Sequence, residues 1–152
     1  MQEREATGVR LPFADRQEAG RLLGRALAAR PERADAIVLA IPRGGVPVAA
    51  AMASGLGLPL DVLVAHKLGA PSDPEVAIGA VAADGTIRIE AWARELVGRD
   101  EAYLERAAED EIARARAREA AIRGARPRPD LAGRTVILVD DGIATGATMH
   151  VG

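Results

Sequence analysis

The chain has no cysteine among its 152 residues, which excludes disulfides, a thiol nucleophile and a zinc ribbon together. Aromatic residues are nearly as scarce, with one Phe, one Tyr and one Trp. Its interior must therefore be built from small aliphatic side chains, which suits close packing of helices on a sheet. Lysine occurs once, at Lys67, although Lys and Arg together number 20, so Lys67 stands out as the one basic position where arginine is not used. Neither sign of charge dominates: 20 basic against 22 acidic residues leave a formal net charge of −2. Such a balance gives no global basic field to attract nucleic acid or an anionic membrane. No apolar run approaches the roughly 20 residues of a membrane span, and residues 1–6 are charged and lack the apolar core of a secretory signal. The expectation is a cytoplasmic protein with neither nucleic acid nor membrane as partner.

What is present fits one domain with a sizeable core, given the length and a hydrophobic share of 49%. Asp15 and Glu18 have capping-box spacing, with Asp in place of Ser or Thr. Ala19, Leu22, Leu23, Ala26 and Leu27 follow at helical spacing and predict an amphipathic helix buried on that face. Residues 36–41 form a short apolar run, read as a buried strand that Pro42 ends. Residues 46–56 read as a small-residue helix closing near Gly55 and Gly57, and residues 60–65 as a second strand leading into His66 and Lys67. Strand, helix and strand of these lengths imply a βαβ unit and a parallel sheet.

The middle of the chain is different in character. Residues 76–82 and 86–90 flank Asp84-Gly85, a strong hairpin signal. From 91 to 123 the composition turns to Ala, Arg and Glu, predicting a short helix, a break near Gly98 and a long helix from about Asp100. Its acidic first half and arginine-rich second half follow the order that the helix dipole favours, with Asp110–Arg114 and Glu119–Arg123 as i,i+4 pairs. This face reads as solvated rather than as an RNA-binding patch. His66 reads as a solvated polar residue at a strand end, and Phe13, Trp92 and Tyr103 as core or packing residues. Residues 68–126 thus form an excursion between core segments at about 13–67 and 127–152, all within a single domain spanning 1–152.

Two stretches carry chemistry. In residues 136–149 an apolar β-branched run, read as a strand buried on both faces, meets Asp140-Asp141. The turn Gly142-Ile143-Ala144-Thr145-Gly146-Ala147-Thr148 follows and opens a helix. Backbone N–H groups and the helix dipole converge on an anion there, and Gly146 permits the close backbone approach that a phosphate needs. Two carboxylates would repel a bare phosphate, so the ligand should carry hydroxyls or Mg²⁺ beside its phosphate. The second stretch, Pro42-Arg43-Gly44-Gly45, also follows a predicted parallel strand and opens a helix. It would supply another anion site on the same sheet edge. A Walker P-loop, a dinucleotide fingerprint and a Gly-x-Ser-x-Gly elbow are all absent.

Residues 136–149 closely resemble the signature of the type I phosphoribosyltransferases, and the similarity extends over about 13–152. The resemblance implies a Rossmann-like open parallel sheet flanked by helices, with a hairpin-plus-helix excursion inserted, and a fold whose C-terminal part lies beyond Gly152. It implies 5-phosphoribosyl 1-pyrophosphate as substrate and Mg²⁺ as cofactor, with a nitrogen acceptor, a nucleobase before others, displacing pyrophosphate. By resemblance Asp140 and Asp141 hold the ribose 2- and 3-hydroxyls, directly or through metal, while Ala144, Thr145, Gly146, Ala147 and Thr148 wrap the 5-phosphate. Arg43, Gly44 and Gly45 would bind pyrophosphate, with a cis peptide at Arg43–Gly44, and Lys67 would add a cation there. Asp140, Asp141 and Lys67 are the catalytic candidates, and residues 69–75 resemble a mobile lid. One departure stands out: Ala144 occupies the place where some purine-salvage members have an aspartate base, which leaves Glu75 as a weak candidate. The expected function is a phosphoribosyltransferase; the alternative is a non-catalytic module that senses phosphoribosyl pyrophosphate or nucleotide. Either reading leaves room for a homodimer.

Overall fold

The computed structural model describes residues 12–98 and 100–142. Helix α1 (Arg16–Leu27) leads through a short 3₁₀ turn to strand β1 (Ile37–Ala40), helix α2 (Gly45–Leu56) and strand β2 (Leu60–Val62). Strands β3 (Ala65–Gly69), β4 (Ala77–Ala82) and β5 (Ile87–Ile89) come next. A second 3₁₀ turn, helix α3 (Arg94–Val97), helix α4 (Glu101–Arg123) and strand β6 (Val136–Val139) complete the order. Two three-stranded sheets result, β2-β1-β6 and β3-β4-β5. The first is wholly parallel and the second wholly antiparallel.

β1 is the central strand of the parallel sheet and all four of its residues are buried, as expected of a run apolar on both faces. The helix α2 packs on β1 and β6 through Val48, Ala49, Met52 and Ala53, which meet Val38, Ala40 and Val139. The antiparallel sheet is covered by α4, where Leu68, Ile78 and Val81 pack with Ala108 and the partly buried Leu104. Val64, Ala83 and Ala115 form a small cluster of their own, with Val62 packed against it. Asp84-Gly85 makes the predicted β4–β5 turn, with Gly85 at φ 102°. Asp15 and Asp100 cap α1 and α4 by accepting from Glu18 and Tyr103 amides.

Several expectations need correction. The run predicted as one strand over 60–65 is divided between β2, which pairs with β1, and β3, which pairs with β4. Hydropathy does not mark the change of sheet, because Val62-Leu63-Val64-Ala65 is apolar throughout. β6 is the outer strand of its sheet among the described residues, so Val136 is 41% exposed although Val139 is buried. On α1 the buried positions are Gly20 and Gly24 rather than the predicted apolar stripe, and Leu23 is exposed. The cause is close helix contact: a Cβ on Gly20 would fall 2.2 Å from the Val48 carbonyl oxygen of α2. Trp92 and Phe13 are exposed at 59% and 43% rather than packed. Tyr103 does pack, donating its hydroxyl to the Gly69 carbonyl at 3.1 Å.

Candidate functional site

At the carboxyl end of the parallel sheet two connections lie side by side. The ladder between β1 and β6 continues past both strands, with the Ile41 amide donating to the Val139 carbonyl at 2.8 Å. Residues 42–45 then turn into α2, the Gly45 and Val46 amides donating to Ile41 and Arg43 carbonyls at 3.1 and 3.2 Å. The loop contains a cis peptide at Pro42–Arg43, one bond earlier than Arg43–Gly44. Gly44, the N-cap of α2, has ordinary helical torsions; what demands glycine there is space. A Cβ on Gly44 would fall 2.1 Å from Asp141 Oδ2 and 2.3 Å from Oδ1. A Cβ on Gly45 would fall 2.6 Å from the Val139 carbonyl oxygen and 2.9 Å from the Asp140 Cα. The two glycines let the amino end of α2 press against the two aspartates.

The neighbouring carboxylates have opposite electrostatic settings. Asp140 is partly buried, and burial pushes its carboxyl above the ordinary range, with the nearby Asp141 charge adding to the rise. It accepts one compensating hydrogen bond, from the Asp141 amide to Oδ1 at 2.8 Å. Asp141 is held below the ordinary range, chiefly by the Arg16 guanidinium. Arg16 donates from Nε at 2.9 Å and from Nη2 at 2.7 Å, both to Asp141 Oδ2. Sequence reasoning missed Arg16, which lies 125 residues from its partner. The signal available was the i, i+4, i+8 row Arg16, Gly20, Gly24, which places the arginine on the face that the glycines bring against α2.

The structure therefore brings Gly44 and Gly45 together with Asp140 and Asp141. Arg43 is exposed in the same loop. Ala144, Thr145, Gly146, Ala147 and Thr148 lie outside the described residues. Lys67 sits on β3 of the other sheet, and its ammonium pairs with Glu75 at 3.0 Å. Both line an open cleft of about 750 Å³ between β3 and α4, along with Tyr103, Arg106, Glu111 and Arg118. Residues 69–75 form the β3–β4 turn, closed by Ala70–Val76, Asp73–Ala70 and Val76–Asp73 backbone hydrogen bonds.

His66 is not a solvated end residue. Its side chain is 19% exposed, and Nδ1 lies 2.9 Å from Glu111 Oε2. Glu111 rather than Asp110 is also the partner of Arg114, at 2.7 Å. The predicted Glu119–Arg123 pair does form, at 3.1 Å, yet Arg123 is buried rather than solvated and also meets Asp61 of β2.

A family model for the phosphoribosyl transferase domain matches residues 16–152. Two Mycobacterium tuberculosis proteins, from strains CDC 1551 and H37Rv, are each provisionally named a phosphoribosyl transferase. Each is 43% identical to this chain over 136 residues, covering 90% of the chain and 30% of the relative. The chain thus spans about a third of the length of those relatives. The crystal structure of TT1426 from Thermus thermophilus superposes with a TM-score of 0.77 at 44% identity, covering 91% of this chain and 65% of that one. No helix among the described residues is long and apolar enough to cross a membrane. With the family match running from α1 to the last residue, the chain belongs to the phosphoribosyl transferase domain family.

Proposed function

We propose that this chain carries the phosphoribosyl pyrophosphate site of a phosphoribosyltransferase that moves ribose 5-phosphate to a nitrogen acceptor. The single observation that supports the reading most strongly is the contact of Gly44 and Gly45 with Asp141 and Asp140. It joins a hydroxyl-binding carboxylate pair to a helix amino end suited to an anion. On this reading Asp140 and Asp141 accept hydrogen bonds from the vicinal ribose hydroxyls. Residues 43–45 face the pyrophosphate, and residues 144–148 wrap the 5-phosphate. The C1–O bond to pyrophosphate breaks as a C1–N bond forms, and the acceptor nitrogen loses its proton. Charge develops on the sugar as in glycoside cleavage, and two anion-binding loops fix the sugar between them.

The residues present fit Mg²⁺. This cation is bound by one or two carboxylates together with substrate phosphates rather than by an all-protein cage, and the described residues hold no cluster of three or more acidic or histidine ligands. Asp140, whose burial leaves its charge under-compensated, and Asp141 would hold it, directly or through water. When bound it would neutralise charge on the departing pyrophosphate. With no cysteine in the chain and no oxidising compartment implied, we place the reaction in the cytoplasm.

The test is to incubate the protein with 5-phosphoribosyl 1-pyrophosphate, Mg²⁺ and a panel of nucleobases. The expected result is pyrophosphate release that depends on one acceptor class. Binding of phosphoribosyl pyrophosphate without acceptor-dependent release would instead identify a sensing module.

A further inference from the structure

The contact between Arg16 and Asp141 needs an explanation beyond folding. α1 is already seated by Gly20 and Gly24, whose Cβ positions fall 2.2 Å from the Val48 carbonyl oxygen and 3.5 Å from the Met52 carbonyl oxygen of α2. An ion pair between side chains 59% and 31% exposed adds little to that packing. Its geometry is nonetheless specific. Nε and Nη2 of Arg16 converge on one oxygen, Oδ2, while the same carboxylate lies over the space left by the missing Gly44 side chain. Neither of these two hydrogen bonds falls on Oδ1.

We propose that Arg16 is a positioning residue of the sugar site: it fixes the Asp141 carboxylate through Oδ2 and so leaves Oδ1 to accept the 2-hydroxyl of the vicinal diol. This rests on the reading of Asp140 and Asp141 as the ribose-hydroxyl ligands. Arg16 also cancels one of two adjacent negative charges, so the pair presents a single net charge to a ligand that carries phosphates. Lysine at position 16 could restore that charge and one of the two hydrogen bonds, whereas glutamine reaches only as far as Nε and loses the charge. Because the arginine acts on a hydroxyl acceptor, its loss should show as lost discrimination between ribose and 2-deoxyribose ligands. A structural role alone would not alter that ratio.

The experiment is calorimetric titration of the protein, Arg16→Gln, Arg16→Lys and Asp141→Asn with 5-phosphoribosyl 1-pyrophosphate, ribose 5-phosphate and 2-deoxyribose 5-phosphate, all with Mg²⁺. Arg16→Gln should weaken the ribose ligands by about 10- to 100-fold, the range of a hydrogen bond to a charged group. It should move the ribose/deoxyribose ratio towards one with no more than the small drop in melting temperature expected of an exposed ion pair, and Arg16→Lys should recover much of the ratio. Wild-type affinity and ratio in Arg16→Gln, beside a weakened Asp141→Asn, would overturn the role of Arg16 and leave the sugar site standing. Equal weakening of ribose and deoxyribose ligands would also overturn it, since Asp141 would then not be reading the 2-hydroxyl. If Asp141→Asn binds like the unaltered protein, or the latter binds none of the three, the sugar-site reading fails and the role of Arg16 fails with it.

Discussion

Gly44 and Asp141 occupy each other's space: the point where a Cβ would sit on Gly44 lies 2.1 Å from Asp141 Oδ2. Gly45 is equally tight, but against backbone, 2.6 Å from the Val139 carbonyl oxygen. The two glycines therefore predict different failures. In Gly44→Ala the Asp141 carboxylate, the end of a flexible side chain, swings aside and the fold survives. Affinity for phosphoribosyl pyrophosphate should fall about tenfold or more with at most the small drop in melting temperature expected of an exposed ion pair. In Gly45→Ala the backbone of β6 or α2 must shift, at a cost of about 1–3 kcal/mol. Paired denaturation and binding curves for the two variants check this. A Gly44→Ala protein that binds normally would contradict the contact.

The α1–α2 crossing makes a second contrast. A methyl group at Gly20 collides with the Val48 carbonyl oxygen at 2.2 Å, whereas at Gly24 the nearest atom is 3.5 Å away. Gly20→Ala should lose about 1–3 kcal/mol. Gly24→Ala should be neutral or gain up to about 1 kcal/mol from the lower cost of ordering alanine in a helix. Urea unfolding midpoints compare them, and equal midpoints would contradict the packing described.

These contrasts show which parts of the molecule were legible beforehand. β1 and α2 could be read because their signals are local: a doubly apolar run, a proline stop and small residues at helical spacing. The β4–β5 turn and the caps of α1 and α4 follow from Asp84-Gly85, Asp15 and Asp100 in the same way. Asp140, Asp141 and residues 42–45 were located by their place at strand ends. The division of 60–69 between two sheets was not legible, because an apolar run looks the same whichever strand it pairs with. The burial of His66 and Arg123 was equally hidden, since it depends on Glu111 and Asp61, 45 and 62 residues away. Arg16 was missed for the same reason, as its partner is the signature itself.

Arg123 supplies a third prediction. It is 8% exposed and lies between Asp61 and Glu119, with Glu119 also held by Arg128 at 2.6 Å. Removing the cation strands the largely buried Asp61 carboxylate, while Glu119 keeps Arg128, so Arg123→Ala should cost about 3 kcal/mol or more. Arg114, 69% exposed and paired with Glu111 among the described residues, should lose less than about 1 kcal/mol on the same substitution. Equal losses in urea would show that Arg123 does not join α4 to β2 as described.

The two aspartates should respond to pH with opposite signs. Burial raises the Asp140 carboxyl, so the folded state holds that proton more tightly than the unfolded chain. Ionisation is therefore a cost that grows as pH rises through the carboxylate range. Asp140→Asn should melt higher than the unaltered protein at neutral pH, and the gain should vanish on acidification. Arg16 lowers the Asp141 carboxyl, so its contribution is present above the ordinary carboxylate range and is lost as pH falls through the depressed value. Asp141→Asn should melt slightly lower at neutral pH and converge with the unaltered protein in acid. Melting curves across that range read both signs.

The central claim is that the carboxyl end of β6 and the loop after β1 form one site for a phosphorylated ribose. Calorimetric titration of 5-phosphoribosyl 1-pyrophosphate with Mg²⁺ into the protein and into the Asp140→Asn/Asp141→Asn variant tests it most directly. The account predicts saturable binding by the protein and a loss of about 100-fold or more in the variant, since two hydrogen bonds to charged acceptors disappear together. Unchanged affinity in a variant that retains its fold would contradict it.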